Sequence, residues 1–214
     1  MARSLKAARE ELAAADPAMA KLIEQLGERS AAQRRRGQPK PDAYGALLRT
    51  IVGQQLSAKA ARTIYERVLD LYGGKTPSPD QILATSESDL RGAGLSGRKV
   101  EYIRDLAAHV KSGELELDRL GELSDEEVIE EIVAVRGLGR WSAEMFLIFH
   151  LERPDVISGG DLGIRRAIQL TLGLDEMPTP QEVEEIGERW SPHRSLASIY
   201  LWESLANDVT VGGT

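Results

Sequence analysis

Apolar residues recur along this chain at three- and four-residue intervals, the spacing that lines one side of a helix, and no stretch keeps up a strict alternation. Tyr44, Leu47, Leu48, Ile51 and Val52 form one such stripe, opened by Asp42 and stopped at Gly53-Gln54-Gln55. Ile64, Val68 and Leu71 form another over 58–71, with Ser57 as its cap and Gly73-Gly74 closing it. Upstream, residues 1–15 suggest a short helix, and Asp16-Pro17 starts a second that runs to Leu26. Residues 28–41 read as a polar, basic connection between prolines. Downstream, residues 77–83 and 85–90 suggest two short helical pieces, and Ser96 caps a helix reaching Val110. Ser124-Asp125-Glu126-Glu127 and Thr179-Pro180-Gln181-Glu182 are capping boxes, the first opening a helix over 126–135 and the second a helix to Trp190. A helix over 164–172 and a last one opened by Ser191-Pro192 and ending near Asn207 complete about ten segments. The predicted fold is all-α, with Asp155-Val156-Ile157-Ser158 the nearest thing to an extended segment.

Two of these helices meet at Val135-Arg136-Gly137-Leu138-Gly139-Arg140-Trp141-Ser142-Ala143. Val128, Ile129, Ile132 and Val133 stripe the first, and Trp141, Met145, Phe146, Ile148 and Phe149 stripe the second. Glycines in the turn permit positive φ and leave room for close approach. The helix that follows points its free N–H groups and positive dipole end outward, which suits a phosphate regardless of base sequence. A plain helix corner with a glycine cap accounts for such a turn equally well on its own. Further on, Gly159-Gly160-Asp161 leads straight into a helix, where Asp161 serves at least as an N-cap. The helix dipole favours the charged form of a carboxylate at that place. Such a carboxylate can stabilise positive charge growing at an anomeric carbon or orient a water against it.

Composition narrows the chemistry. At 214 residues the chain can bury a substantial core, and the absence of cysteine excludes disulfides, a thiol nucleophile and Cys-ligated zinc or iron–sulfur centres. No apolar run is long enough to span a membrane and no signal peptide is visible, so a soluble intracellular protein, in bacterial cytoplasm, is expected. The formal charge of −7 speaks mildly against a nucleic-acid partner, but its distribution decides more than its sum. Acidic residues crowd into 122–131 and 175–188 as solvated helix faces. Basic ones gather at Arg34-Arg35-Arg36, Arg98-Lys99, Arg136, Arg140 and Arg165-Arg166, close to turns and helix starts, where they could make a phosphate-facing side.

Four stretches together resemble one family. Val135 to Ala143 looks like a helix-hairpin-helix DNA-binding element, and Ile51-Val52-Gly53-Gln54-Gln55-Leu56-Ser57 like the Ile-x-x-Gln-Gln-x-Ser segment that accompanies it. Asp155 to Asp161, with Asp161 placed 24 residues after Gly137, is similar to the segment ending in the catalytic aspartate. Trp190-Ser191-Pro192-His193-Arg194-Ser195 through Trp202 resembles the Trp-x-Pro-x-Arg-Ser…Trp signature of the alkylbase enzymes. The chain is thus identified, over about residues 40–205, as similar to the HhH-GPD DNA glycosylases and within them to the 3-methyladenine DNA glycosylase II branch.

The resemblance implies a two-lobed helical domain over 42–205 with the base pocket between its lobes, N-terminal helices over 1–41 packing on it, and a tail over 206–214. It implies an enzyme that flips alkylated purines such as 3-methyladenine or 7-methylguanine out of duplex DNA and leaves an abasic site. Asp161 is then the catalytic carboxylate. Trp141, Trp202 and Met145 are candidate pocket walls, since an electron-poor alkylpurine stacks well on indole. An aromatic ring stands in relatives where this chain has Met145, and Trp190 reads as core. Gln54, Gln55 and Leu56 form the turn that enters the duplex, with Gln55 or Leu56 the filler. Gly137, Leu138, Gly139 and Arg140 would hold a DNA phosphate, and backbone carbonyls of Val133, Val135 and Gly137 could hold a Na⁺ or K⁺. No cofactor is required and no iron–sulfur cluster is expected.

Strand-cutting members carry a lysine nucleophile after the hairpin; here Arg140-Trp141 follows Gly139, and arginine stays protonated, so a monofunctional enzyme without lyase activity is expected. Arg194 and His193 read as structural, the arginine pairing with a carboxylate. The compact length before the glutamine segment implies no extra N-terminal α/β lobe. A monomer acting on damaged double-stranded DNA is expected. The alternatives are a sister glycosylase for uracil, hypoxanthine or etheno adducts, or a non-catalytic DNA-binding protein in which Asp161 is only a cap.

Overall fold

The computed structural model describes residues 5–27 and 41–209, and among them every regular element is helical. The basic run Arg34-Arg35-Arg36 and the connection over 28–40 lie outside the described residues. No helix among the described residues is long and apolar enough to cross a membrane. The chain divides into two compact units, one of residues 40–151 and one joining residues 1–39 to 152–214.

The unit of residues 40–151 holds α3 (Ala43–Gly53), α4 (Ala58–Asp70), α5 (Pro79–Ala84), α6 (Glu87–Gly92), α7 (Gly97–Ser112), a 3₁₀ turn (Leu117–Arg119), α8 (Asp125–Val133) and α9 (Arg140–Phe149). Every α-helix of this unit except α9 starts on a side-chain cap: Asp42, Ser57, Ser78, Ser86, Ser96 and Ser124 all accept a backbone N–H of the first turn. The stripe on α3 is fully used, with Leu47, Leu48, Ile51 and Val52 wholly buried. α7 packs on α3, α5 and α6 through Val100, Ile103 and Leu106, and α8 packs on α9. The helix expected over 126–135 stops earlier, at Val133, because the chain must turn through 134–139 before α9.

The other unit holds α1 (Leu5–Ala15), α2 (Pro17–Leu26), α10 (Leu162–Leu172), α11 (Pro180–Gly187), a 3₁₀ turn (Glu188–Trp190) and α12 (Arg194–Ala206). Its core joins Leu12, Met19 and Leu22 of the N-terminal helices to Ile164, Ile168, Trp190, Tyr200 and Leu201. Asp16 welds the two sequence ends: one carboxylate oxygen caps α2 and the other accepts the buried Trp190 indole N–H at 2.9 Å. Ser191-Pro192, expected to open the last helix, instead forms a cis peptide ahead of it, and α12 begins at Arg194. The helix expected to reach Trp190 tightens to 3₁₀ geometry after Gly187.

Candidate active site and DNA-facing turns

Asp161 is the N-cap of α10, and its Oδ1 accepts the Ile164 N–H at 2.8 Å. The same oxygen accepts the indole Nε1–H of Trp202, 41 residues away on α12, at 2.9 Å. Trp202, expected as a pocket wall, therefore reaches the candidate carboxylate directly. A helix-end amide and an aromatic N–H, both borne on regular helices, hold that carboxylate oxygen in place. Gly163 makes room for this: a Cβ there would stand 3.0 Å from Asp161 Oδ1 and 3.2 Å from Trp202 Cδ1. Gly159 has a packing role, since a Cβ would meet the Pro180 carbonyl oxygen at 2.6 Å. Gly160, by contrast, faces open space.

The approach to Asp161 is a non-helical strap pinned by the start of α12. Arg194 forks onto Asp155, Nε to Oδ1 at 2.8 Å and Nη2 to Oδ2 at 3.0 Å, and Ser191 Oγ donates to the same carboxylate at 2.8 Å. Burial pushes the Asp155 pKa up, but hydrogen bonds from Arg194 and Ser191 outweigh it and hold the group below its usual range. Ser195 Oγ donates to the Arg153 carbonyl at 2.6 Å and accepts the Val156 N–H at 3.0 Å. His193 Nε2 lies 2.8 Å from Glu11 Oε2. Arg194 and His193 are structural, as their types suggested. Ser195 lies inside the Trp-x-Pro-x-Arg-Ser stretch, whose pattern carries no sign of the Arg153 and Val156 backbone partners.

In the other unit, the hairpin and the glutamine turn are joined. Gly137 has φ 88, and a Cβ on it would run into the Tyr102 ring at 2.3 Å. Gly139 precedes α9 with φ −112 and no atom within 4 Å of where a Cβ would stand. Gln54 Nε2 donates to the Gly137 carbonyl at 2.7 Å. That bond corrects one expectation. Gln54 is a brace and not a free intercalating side chain, and the Gly137 carbonyl already serves a donor. The Val135 carbonyl likewise accepts the Leu138 N–H at 3.1 Å, and each of these two oxygens keeps a second lone pair open to a cation. Gln55 stands at the tip with φ 57 and an exposed side chain, and Leu56 beside it is also exposed.

The basic residues are mostly spoken for. Arg140, expected on a phosphate, instead forks onto Glu126 at 2.9 and 3.2 Å and reaches the buried Glu144 at 3.1 Å. The acidic first turn of α8 therefore neutralises it, and the pairing lowers the Glu126 pKa. Leu138 points into the core at 4% exposure, leaving only its backbone for a ligand. Lys99 Nζ donates to the carbonyls of Val52 and Gln54, and burial pushes its pKa down. Arg165 and Arg166 bond to the Pro178 carbonyl and Gln169. Trp141, at 45% exposure, and the half-buried Met145 share one face of α9 at i and i+4. Trp190 is core.

This geometry has relatives. The family model described as "HhH-GPD superfamily base excision DNA repair protein" matches residues 48–193. DNA-3-methyladenine glycosylase 1 of Schizosaccharomyces pombe is 35% identical over 171 residues, covering 79% of this chain and 75% of that one. A Bacillus subtilis protein is 32% identical over 168 residues, and the match spans 76% of this chain but only 58% of that longer one. Among solved structures, the S. pombe 3-methyladenine DNA glycosylase in complex with abasic DNA superposes with a TM-score of 0.83 at 31% identity, over 93% of this chain and 96% of that one.

Proposed function

Because the chain belongs to the HhH-GPD superfamily of base excision DNA repair proteins, we propose that it is a monofunctional DNA N-glycosylase for alkylated purines in duplex DNA. The observation that carries this reading is the Asp161 carboxylate, fixed by the α10 terminus and the Trp202 indole. The relatives supply the substrate class: the S. pombe enzyme is named for 3-methyladenine and its structure holds abasic DNA, the product of base loss.

The chemistry asks for little beyond placement and charge. As the bond from C1′ to the base nitrogen lengthens, positive charge grows on the sugar, and a carboxylate held rigid beside it stabilises that charge without reorganising. Water adds its oxygen to C1′ and gives up a proton to solvent, and the cationic alkylpurine leaves as a neutral base with the electron pair of the broken bond, giving an abasic sugar. Gln55 at its exposed tip suits the space vacated in the duplex. Trp141 and Met145 suit the face of a flat, electron-poor base. The open N-terminus of α9, with Gly139 bare of a side chain, suits a backbone phosphate.

Strand cleavage through a Schiff base needs a neutral amine after the hairpin. This chain has Arg140 there, held by two carboxylates. The enzyme acts as a monomer in the compartment that holds the DNA, the cytoplasm or nucleoid of a bacterium.

Single-turnover base release from a duplex containing 7-methylguanine tests the proposal. Release by the natural chain, strand breaks only after alkali, and loss of release with retained binding in Asp161→Asn are the expected results. Binding without release from this or any of a panel of uracil, hypoxanthine and etheno duplexes would leave only a DNA-binding role. Strand breaks before alkali would refute the monofunctional assignment.

A further inference from the structure

One face of α7 fastens two loops that α7 does not belong to. Lys99, at its first turn, donates from Nζ to the Val52 carbonyl at 2.7 Å and to the Gln54 carbonyl at 2.8 Å. Three residues on, the Tyr102 ring lies against Gly137. Three further on, Asp105 Oδ2 accepts the Arg136 N–H at 2.7 Å. The Gln54 side chain closes the circuit by donating to the Gly137 carbonyl at 2.7 Å. The glutamine turn and the hairpin are therefore tied to each other and, separately, to one rigid helix.

Lys99 holds the most telling link. The carbonyl of Gln54 belongs to the peptide group that leads into Gln55, and the orientation of that peptide sets the φ of Gln55. Gln55 is left-handed at φ 57, a conformation that a residue bearing a Cβ keeps only when its surroundings impose it. The ammonium also sits where the carbonyls at the end of α3 concentrate negative charge.

We propose that Lys99 is a positioning residue for base displacement: it holds the Gln55 tip at a fixed offset from the hairpin, so that seating the hairpin on a phosphate delivers the tip to one base step. This rests on reading the glutamine turn as the element that enters the duplex. In this role Lys99 acts on the tip through the Val52 and Gln54 carbonyls and not on base or sugar. Its loss should therefore matter where a paired base must be displaced and matter little where none has to be.

The test compares single-turnover release of 7-methylguanine opposite cytosine with release of the same base opposite a tetrahydrofuran abasic analogue, where no pair is broken. Lys99→Met keeps the apolar stem and removes the donors. A misplacement on the ångström scale can cost about 100-fold, so its rate on the paired substrate should fall by roughly that factor. On the unpaired substrate it should fall less than about threefold, since the unpairing cost is absent. Lys99→Arg, which keeps charge and donors, should recover most of the paired rate. Gln54→Leu, which cuts the other tie, should show the same selective loss and carries the comparison if Lys99→Met does not fold. Equal losses on both substrates, or no loss on either, would overturn the inference while leaving the glycosylase reading intact. A natural chain that releases base from neither duplex would remove that reading and this inference with it.

Discussion

Gly137 and Gly139 stand two residues apart in the same turn, and the structure assigns them opposite reasons for lacking a side chain. At Gly137 the fold itself demands glycine. Positive φ costs a residue with a Cβ about 1–2 kcal/mol. The new methyl carbon would also stand 2.3 Å from Tyr102 ring carbons, far inside ordinary contact. Overpacking of that kind adds about 1–3 kcal/mol as the ring and backbone shift. Gly137→Ala should therefore destabilise by about 2–5 kcal/mol. At roughly 2–4 °C per kcal/mol for a chain of this size, the melting temperature should fall by about 4–20 °C. At Gly139 the fold demands nothing: φ is −112 and no atom lies within 4 Å of a Cβ. The entropy gained by restricting the unfolded chain and the poorer N-cap roughly cancel, so Gly139→Ala should leave stability within about 1 kcal/mol of the natural chain. What the methyl would obstruct is a phosphate approaching the α9 terminus, and the dissociation constant for duplex should rise about tenfold or more, equivalent to about 1.4 kcal/mol. Thermal unfolding followed by circular dichroism and fluorescence anisotropy with a labelled duplex measure the two quantities. A Gly139→Ala protein that binds duplex as the natural chain does would refute the phosphate reading of the turn. A Gly137→Ala protein of unchanged melting temperature would refute the steric argument.

Trp202→Phe keeps a ring but removes the donor to Asp161, and a hydrogen bond to a charged group contributes about 1.5–3 kcal/mol; single-turnover base release should slow about tenfold or more with duplex affinity little changed. Asp155 has its pKa held down in the folded state, so the stability it contributes is present above the unfolded carboxylate pKa and is lost as pH falls through the lower folded value. Asp155→Asn should accordingly cost stability at neutral pH, by about 1–3 kcal/mol for a half-buried forked pair, and should flatten the loss of stability on acidification in urea titrations run between pH 7 and 3. Arg140→Leu should leave the slope of log affinity against log salt unchanged, because its guanidinium is held by Glu126 and Glu144; a phosphate-binding arginine would lower that slope by about 1.

Much of this protein was legible in the chain itself, because the signals concerned were local. Caps at Asp42, Ser57, Ser96, Ser124, Asp161 and Thr179 act within one turn of their own helix, so side-chain type and position nearly suffice to place them. Apolar spacing likewise gave the buried stripe of α3 and the all-helical class. Gly137 announced a turn. The pairing of Arg194 with a carboxylate was expected, though its partner Asp155 was not.

Only the tertiary structure decided which of several equivalent-looking polar residues do what. Arg140 and Lys99 look alike as cations beside glycine turns, yet one is neutralised by an acidic helix start and the other holds backbone carbonyls. Gln54 and Gln55 are neighbours of the same type, yet a bond to residue 137 makes the first a brace and leaves the second at the tip. Trp202 reaches Asp161 across 41 residues, and Asp16 reaches Trp190 across 174. A side chain's partner depends on which distant element folding brings within about 3 Å, and periodicity carries no record of that distance.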